Sequence, residues 1–186
     1  MRRRTLLKSA LIGTGVMVGT GAAWLTLAPQ PPVAGFSDVA RLRAALEDWR
    51  AAPPPSPSGA FPLAQMLEHC AQSVDMSIDG YPELRAAWFR ASVGPLAYRA
   101  FDRMGRMRHR LAEPIPGAPP LVATDVRASI DQLEAAFDRF IGWNGPLQPH
   151  FAYGVLDHAQ YLRAHLMHVA NHWPLYAPWP GGVVSS

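Results

Sequence analysis

Four of the seven histidines fall within fifteen residues near the C-terminal end of the chain: His158, His165, His168 and His172. Imidazole ligates divalent metals through either ring nitrogen, and spacing decides whether several of them can act on one ion. Residues four apart on a helix stack one turn above another, so the H-x3-H pair His168 and His172 can aim ring nitrogens at a common centre. Two imidazoles leave a site incomplete. A third from another helix makes an open facial set suited to Zn, Ni or Fe. His69, which borders an apolar stripe beside Met66 and Ser73 in its own segment, is the expected donor. Against this stands the plain alternative that a histidine at the edge of an apolar stripe is a boundary residue bonded to a carbonyl.

Helices must carry these side chains, because period-2 alternation is almost absent while Pro-rich stretches cut the chain into helical lengths. "PPPSPSG" (Pro53 to Gly59) and "EPIPGAPP" (Glu113 to Pro120) cannot sustain a hydrogen-bond ladder and read as loops. A first helix is expected from a Ser37 N-cap through Val39, Leu42, Leu46 and Trp49. A second starts near Pro62 and turns Leu63, Met66, Leu67, Cys70 and Val74 toward a core. A third region spans Pro82 to about Met107, with a break expected at Gly94-Pro95. The fourth begins at Thr124 or Asp125 and repeats Val126, Ile130, Leu133, Phe137 and Phe140. The last runs from Asp157, with Gln160 completing a capping box, to about His172, where Pro174 stops it. At about 100° per residue, Leu162, Leu166, Val169 and Trp173 make its buried stripe, and Tyr161, His165, His168 and His172 share the adjoining arc, with His158 at its rim. The result is an all-α bundle.

The N-terminus belongs to a different class of segment. "MRRRTLLKSALIGTGVMVGTGAAWLTLAPQ" carries Arg2, Arg3, Arg4 and Lys8 and then no charge until Asp38. Arg3-Arg4-Thr5-Leu6-Leu7-Lys8 resembles a bacterial twin-arginine signal, with cleavage expected after Ala28. Uncleaved, Ser9 to Ala28 is about long enough to act as a membrane anchor. The expected division is a signal peptide over 1–28, a linker over 29–36 and a helical bundle over 37–186. Without the signal, thirteen basic residues face fourteen acidic ones, so the pI of 9.4 gives no case for a nucleic-acid partner. The basic run "RMGRMRHR" (Arg103 to Arg110) reads as a solvated helix end or an anion contact. Cys70 is the single cysteine, so no internal disulfide can form, and stability must come from packing or a bound ion.

"PLAQMLEHCAQSVDMSIDGYPE" (Pro62 to Glu83), "PIPGAPPL" (Pro114 to Leu121) and "GPLQPHFAYGVLDHAQYLRAHLMHVANHW" (Gly145 to Trp173) together resemble an exported branch of the DinB-like superfamily, known as a domain of unknown function. The resemblance implies an up-and-down four-helix bundle with an extra N-terminal helix. It also implies a divalent metal held by His69 in "LEHCAQS" and by His168 and His172 in "HLMHVANH". The element "HF-x2-G-x-L" from His150 to Leu156 and the additional His165 fit the branch; its usual "HHLRQF"-like ending is "NHWPLY" here. Characterised DinB-like relatives include thiol-dependent transferases and isomerases of small molecules, and fold analogy alone does not transfer their chemistry.

Three functions compete on these grounds. The first is an exported metalloprotein performing metal-assisted hydrolysis or thiol transfer on a small molecule, with His165 as a candidate acid/base residue and Glu68, Asp75 and Tyr161 as further pocket candidates. The second is a non-catalytic copper-binding protein using Met66, Met76 and Met167 beside the histidines. In the third the ion only staples the bundle. The expected partners are the twin-arginine translocase during export, in a periplasmic destination, and an unidentified small molecule. Assembly into a homodimer is left open.

Overall fold

The computed structural model describes residues 30–180; residues 1–28, expected from the sequence as a signal peptide, residue 29 and residues 181–186 lie outside the described residues. Among the described residues the chain forms α1 (Val39–Ala51), α2 (Leu63–Asp79), a short α3 (Ala87–Ala91), α4 (Val93–Met104), α5 (Val126–Gly142) and α6 (His158–His172), closed by a single 3-10 turn, Trp173–Leu175. They contain no strand; the one β-bridge, between His150 and Gly154, is isolated. None of these helices is long and apolar enough to cross a membrane. The all-α bundle expected from the sequence is the architecture observed.

Helix boundaries follow local chemistry closely. Asp125 accepts hydrogen bonds from the backbone of Arg127 and Ala128 at the start of α5. Asp157 and Gln160 form both halves of a capping box on α6, satisfying backbone donors that have no partner within the helix. The first cap lies one residue past the expected Ser37: Asp38 accepts from Arg41 N at 2.8 Å, and Ser37 Oγ donates to the Asp38 carboxylate. The break in the third region comes at Ser92, ahead of Gly94-Pro95. Pro95 then sits in the first turn of α4, where its missing N–H leaves no intrahelical bond unmade.

The central element is α2. It is buried on nearly all sides and packs most extensively on α5, then on α6, while α1 leans on α5 and α4 on α6. Its apolar face supplies the core, where Met66, Leu67, Cys70, Ala71 and Val74 are enclosed. At one end of the bundle Trp49 of α1 stacks on Trp173 at 3.5 Å between ring centres, and Phe36 meets the same indole edge-on. Trp49 and Trp173 are therefore packing residues, and Trp88 is 68% exposed. Arg163 of α6 donates to the Asp102 carboxylate and to the carbonyls of Asp102 and Pro31, tying α4 and the N-terminal strap to α6.

The segment before α6 is held as tightly as a helix. Gln148 N donates to Ser77 O, Arg85 N to Phe151 O, and His150 and Gly154 exchange backbone bonds. Gly154 has φ +81, and a Cβ there would lie 2.4 Å from the Arg90 carbonyl oxygen. Gly154→Ala is expected to destabilise the protein by roughly 1–3 kcal/mol. Gly142→Ala, at a helical position where a Cβ meets nothing, is expected to be neutral or stabilising. Urea denaturation of the two variants beside wild type checks the pair.

Candidate metal centre

His69 projects from the middle of α2 and His168 and His172 from the last two turns of α6, so the centre forms where these helices cross. His69 Nε2 lies 3.1 Å from His168 Nε2, and His172 Nε2 lies 3.2 Å from that same atom. The three ring centres are 4.9, 5.0 and 5.1 Å apart, close to an equilateral triangle. With metal–nitrogen bonds of roughly 2.0–2.1 Å, such nitrogen separations subtend about 95–105° at a shared ion. That is the angle of a facial set. The sequence-expected trio is thus the group of described residues whose arrangement could hold a metal ion.

Electrostatics bear on the same point. Burial pushes the pKa of His69 down to about 4 and that of His172 to about 2, and holds His168 well below the ordinary imidazole value; the neighbouring imidazoles lower each further. All three rings are therefore neutral at pH 7 and offer lone pairs, the state a metal requires. Two neutral nitrogens facing each other at 3.1 Å repel unless a proton or a cation lies between them. The buried Nδ1 atoms of His69 and His172 meet no protein acceptor, so no outer hydrogen bond fixes those tautomers. The donor set fits a borderline divalent ion. It contains no carboxylate or thiolate, so the ion's charge would be left for an incoming anion to balance.

A pocket of about 170 Å³ opens onto this centre. Its walls include His69 and His168, the buried His150 and His165, and Phe151, Tyr153, Met107, Ile115, Arg85, His109 and Glu113. His165 is 2% exposed, stacks on Tyr161, and has an Nε2 with no protein partner. His150 Nδ1 accepts from the backbones of Ala152 and Tyr153, so its Nε2 carries the hydrogen.

The other candidates serve the scaffold. Glu68 accepts from Val122 N and Ala123 N, anchoring the approach to α5. Asp75 shares Arg139 with Asp79 across α2 and α5. Tyr161 OH donates to Gln148 O. His158 lies flat on Phe140 and donates to its carbonyl, satisfying the end of α5. Met66 and Met167 are enclosed in the main core, and Met76 packs with Tyr81 and Ile115; none of the three lines the pocket. Burial pushes the Cys70 thiol far above its usual range, which removes it as a thiolate ligand.

Sequence reasoning missed His109. Its ring centre lies 4.8 Å from that of His168 and 4.9 Å from that of His172. Flanking arginines hid it, since "RMRHR" reads as a charged surface; the one available signal was Met107, an apolar residue in the run that the fold buries.

Burial lowers both His150 and His165 to about 3. The unfolded chain, titrating near 6.5, then binds more protons than the folded chain between about pH 3 and 6.5. Their contribution to stability is complete above about pH 6.5 and is lost as pH falls, by up to about 1.4 kcal/mol per unit per group. Chelator-treated protein unfolded in urea at pH 7.5, 6, 5 and 4.5 is expected to weaken progressively. His150→Asn, whose Oδ1 can accept the same two backbone bonds without titrating, is expected to flatten that slope.

No curated protein and no solved structure matches the chain. The family described as protein of unknown function (DUF1569) matches residues 37–178, which takes in every helix among the described residues and all four histidines around the centre. The chain belongs to that family.

Proposed function

We propose that the protein is an exported, DinB-like metalloenzyme that holds a divalent ion, Zn, Ni or Fe, on His69, His168 and His172 and acts on a small molecule by hydrolysis or thiol transfer. The observation that carries the reading is the convergence of the His69, His168 and His172 Nε2 atoms, with His69 and His168 lining a pocket. A bound ion with open positions supplies Lewis acidity that lowers the pKa of a coordinated water or thiol toward neutrality. The chain's own residues do the rest. Phe151, Tyr153 and Ile115 give the pocket apolar walls that exclude water. His165, a buried ring of the pocket lining whose Nε2 meets no protein partner, is the acid/base candidate of this reading.

The copper-carrier alternative loses its soft ligands, because the methionines that would supply them are core residues. The staple alternative uses the same three histidines. What favours chemistry over stapling is the pocket, for a purely structural site is closed.

Export rests on Arg3-Arg4-Thr5-Leu6-Leu7-Lys8 and the uncharged stretch behind it, and the destination proposed is the periplasm. Terminal sequencing of protein recovered from that compartment is expected to begin at Pro29, and Arg3→Lys/Arg4→Lys is expected to keep the chain inside. A full-length exported product would instead support an anchor.

Elemental analysis of natively purified protein is expected to find a stoichiometric divalent ion that the His69→Ala/His168→Ala/His172→Ala variant lacks. Azide or a small thiol is expected to shift the visible spectrum of the cobalt-substituted wild type. A bound ion whose spectrum responds to neither, together with a sharp loss of melting temperature in His168→Ala, would support the staple instead.

A further inference from the structure

The loop that follows α4 brings a fourth imidazole to the centre. We propose that His109 is a displaceable fourth metal ligand, which occupies a coordination position until an anionic or thiol group of the substrate takes its place. The inference rests on the three-histidine centre and adds to it a residue from a different part of the fold.

Ring separations carry the argument furthest. Imidazoles bound through Nε2 place their ring centres roughly 3.2 Å from the ion, which puts adjacent rings about 4.5 Å apart in an octahedral set and about 5.2 Å apart in a tetrahedral one. The three principal ligands stand at 4.9–5.1 Å from one another. His109 stands at 4.8 and 4.9 Å from two of them. Its ring therefore packs against those of His168 and His172 at a ligand-like spacing of centres, beside the converging nitrogens of His69, His168 and His172, although it comes from a loop more than fifty residues upstream.

The tautomer of His109 is independent support. Its Nδ1 lies 3.0 Å from the Arg110 carbonyl oxygen, and a carbonyl can only accept, so the hydrogen sits on Nδ1 and the Nε2 lone pair is left for a cation. A backbone carbonyl behind one nitrogen is the usual support of a metal-bound histidine. His69 and His172 lack that support at Nδ1.

Exchange follows from how the loop is held. Gly105 ends α4 in the left-handed region, its carbonyl accepts from Ala34 N, and Met107 is buried against the core. Beyond that anchor, Arg108, His109 and Arg110 are exposed. The residue thus stands at an exposed stretch beside the pocket that it helps to wall, attached to backbone outside any helix, where its ring is held by the neighbouring imidazoles and the Arg110 carbonyl and not by packing in the main core.

Cobalt(II) is the probe, titrated into full-length, chelator-treated wild type, His109→Ala, and the triple variant of His69, His168 and His172. Far-UV circular dichroism confirms that each is folded, and His109→Gln serves as the second substitution should alanine perturb the loop. Both His109 substitutions are expected to bind cobalt about tenfold or more weakly than wild type and to alter the visible band. Azide is expected to bind cobalt-loaded His109→Ala more tightly than cobalt-loaded wild type, and added imidazole to restore the wild-type band. Identical cobalt affinity, spectrum and azide affinity in wild type and both variants would overturn the proposal while leaving the three-histidine centre standing. Failure of wild type to bind cobalt, or equal binding by the triple variant, would overturn both.

Discussion

The structure depends on one register: the crossing of α2 and α6 that sets His69 against His168 and His172. Basic side chains do not gather in an apolar interior by default, because each would rather be hydrated, and charged rings at this separation would repel strongly. The gathering is tolerable only with neutral rings, and burial lowers their pKa values accordingly. The same desolvation that makes the cluster awkward for a protein makes it receptive to a cation. No residue of the trio can be displaced along its helix by one position without turning its nitrogen out of the triangle, since each step rotates a side chain by about 100°.

Much of this was legible in the sequence because it is local. The capping box at Asp157 and Gln160, the Asp125 cap, the i, i+4 pair His168 and His172 and the apolar stripes all obey rules that act within one or two turns. His69 was legible because it borders a stripe, and a bordering residue on a central helix has few directions in which to point. What escaped depends on which distant backbone arrives beside a side chain. Glu68 is a neighbour of His69 in sequence, yet it turns to the amides of Val122 and Ala123. Asp75 meets Arg139 of α5. His158 shares the helix of the metal pair, yet it settles on Phe140 at the far end. His109 was the opposite case, a residue whose local setting is wholly charged and whose tertiary setting is a cluster of imidazoles.

The pocket draws its parts from segments with little regular structure. Ile115 comes from the Pro-rich connection between α4 and α5, and His150, Phe151 and Tyr153 from the turn before α6. Such segments tolerate side-chain variation better than helices do, provided their backbones are fixed. Here they are fixed by long-range bonds from Gln148 to Ser77 and from Arg85 to Phe151, and by the close passage of Gly154 over Arg90. The arrangement separates duties. Helices set the three converging nitrogens, and loops shape what can approach them.

That separation bears on how a bound ion's energy is used. If the histidines were needed to hold α2 against α6, much of the binding free energy would be folding free energy, as in small domains that are unfolded without their metal. The contacts that fix the register lie elsewhere. Trp173 continues α6 directly past His172 and is gripped between Trp49 and Phe36, while Tyr176 donates to Phe61 O just ahead of α2. At the other end Tyr161 reaches Gln148, whose own amide is bound to Ser77 of α2. His168 and His172 are thus bracketed along α6 by buried aromatic residues, with Tyr161 linked through Gln148 to Ser77 of α2 and Tyr176 bonded to Phe61 just ahead of it. A scaffold so anchored presents its imidazoles already in place, so an ion bound there would not have to supply the energy that holds the helices together.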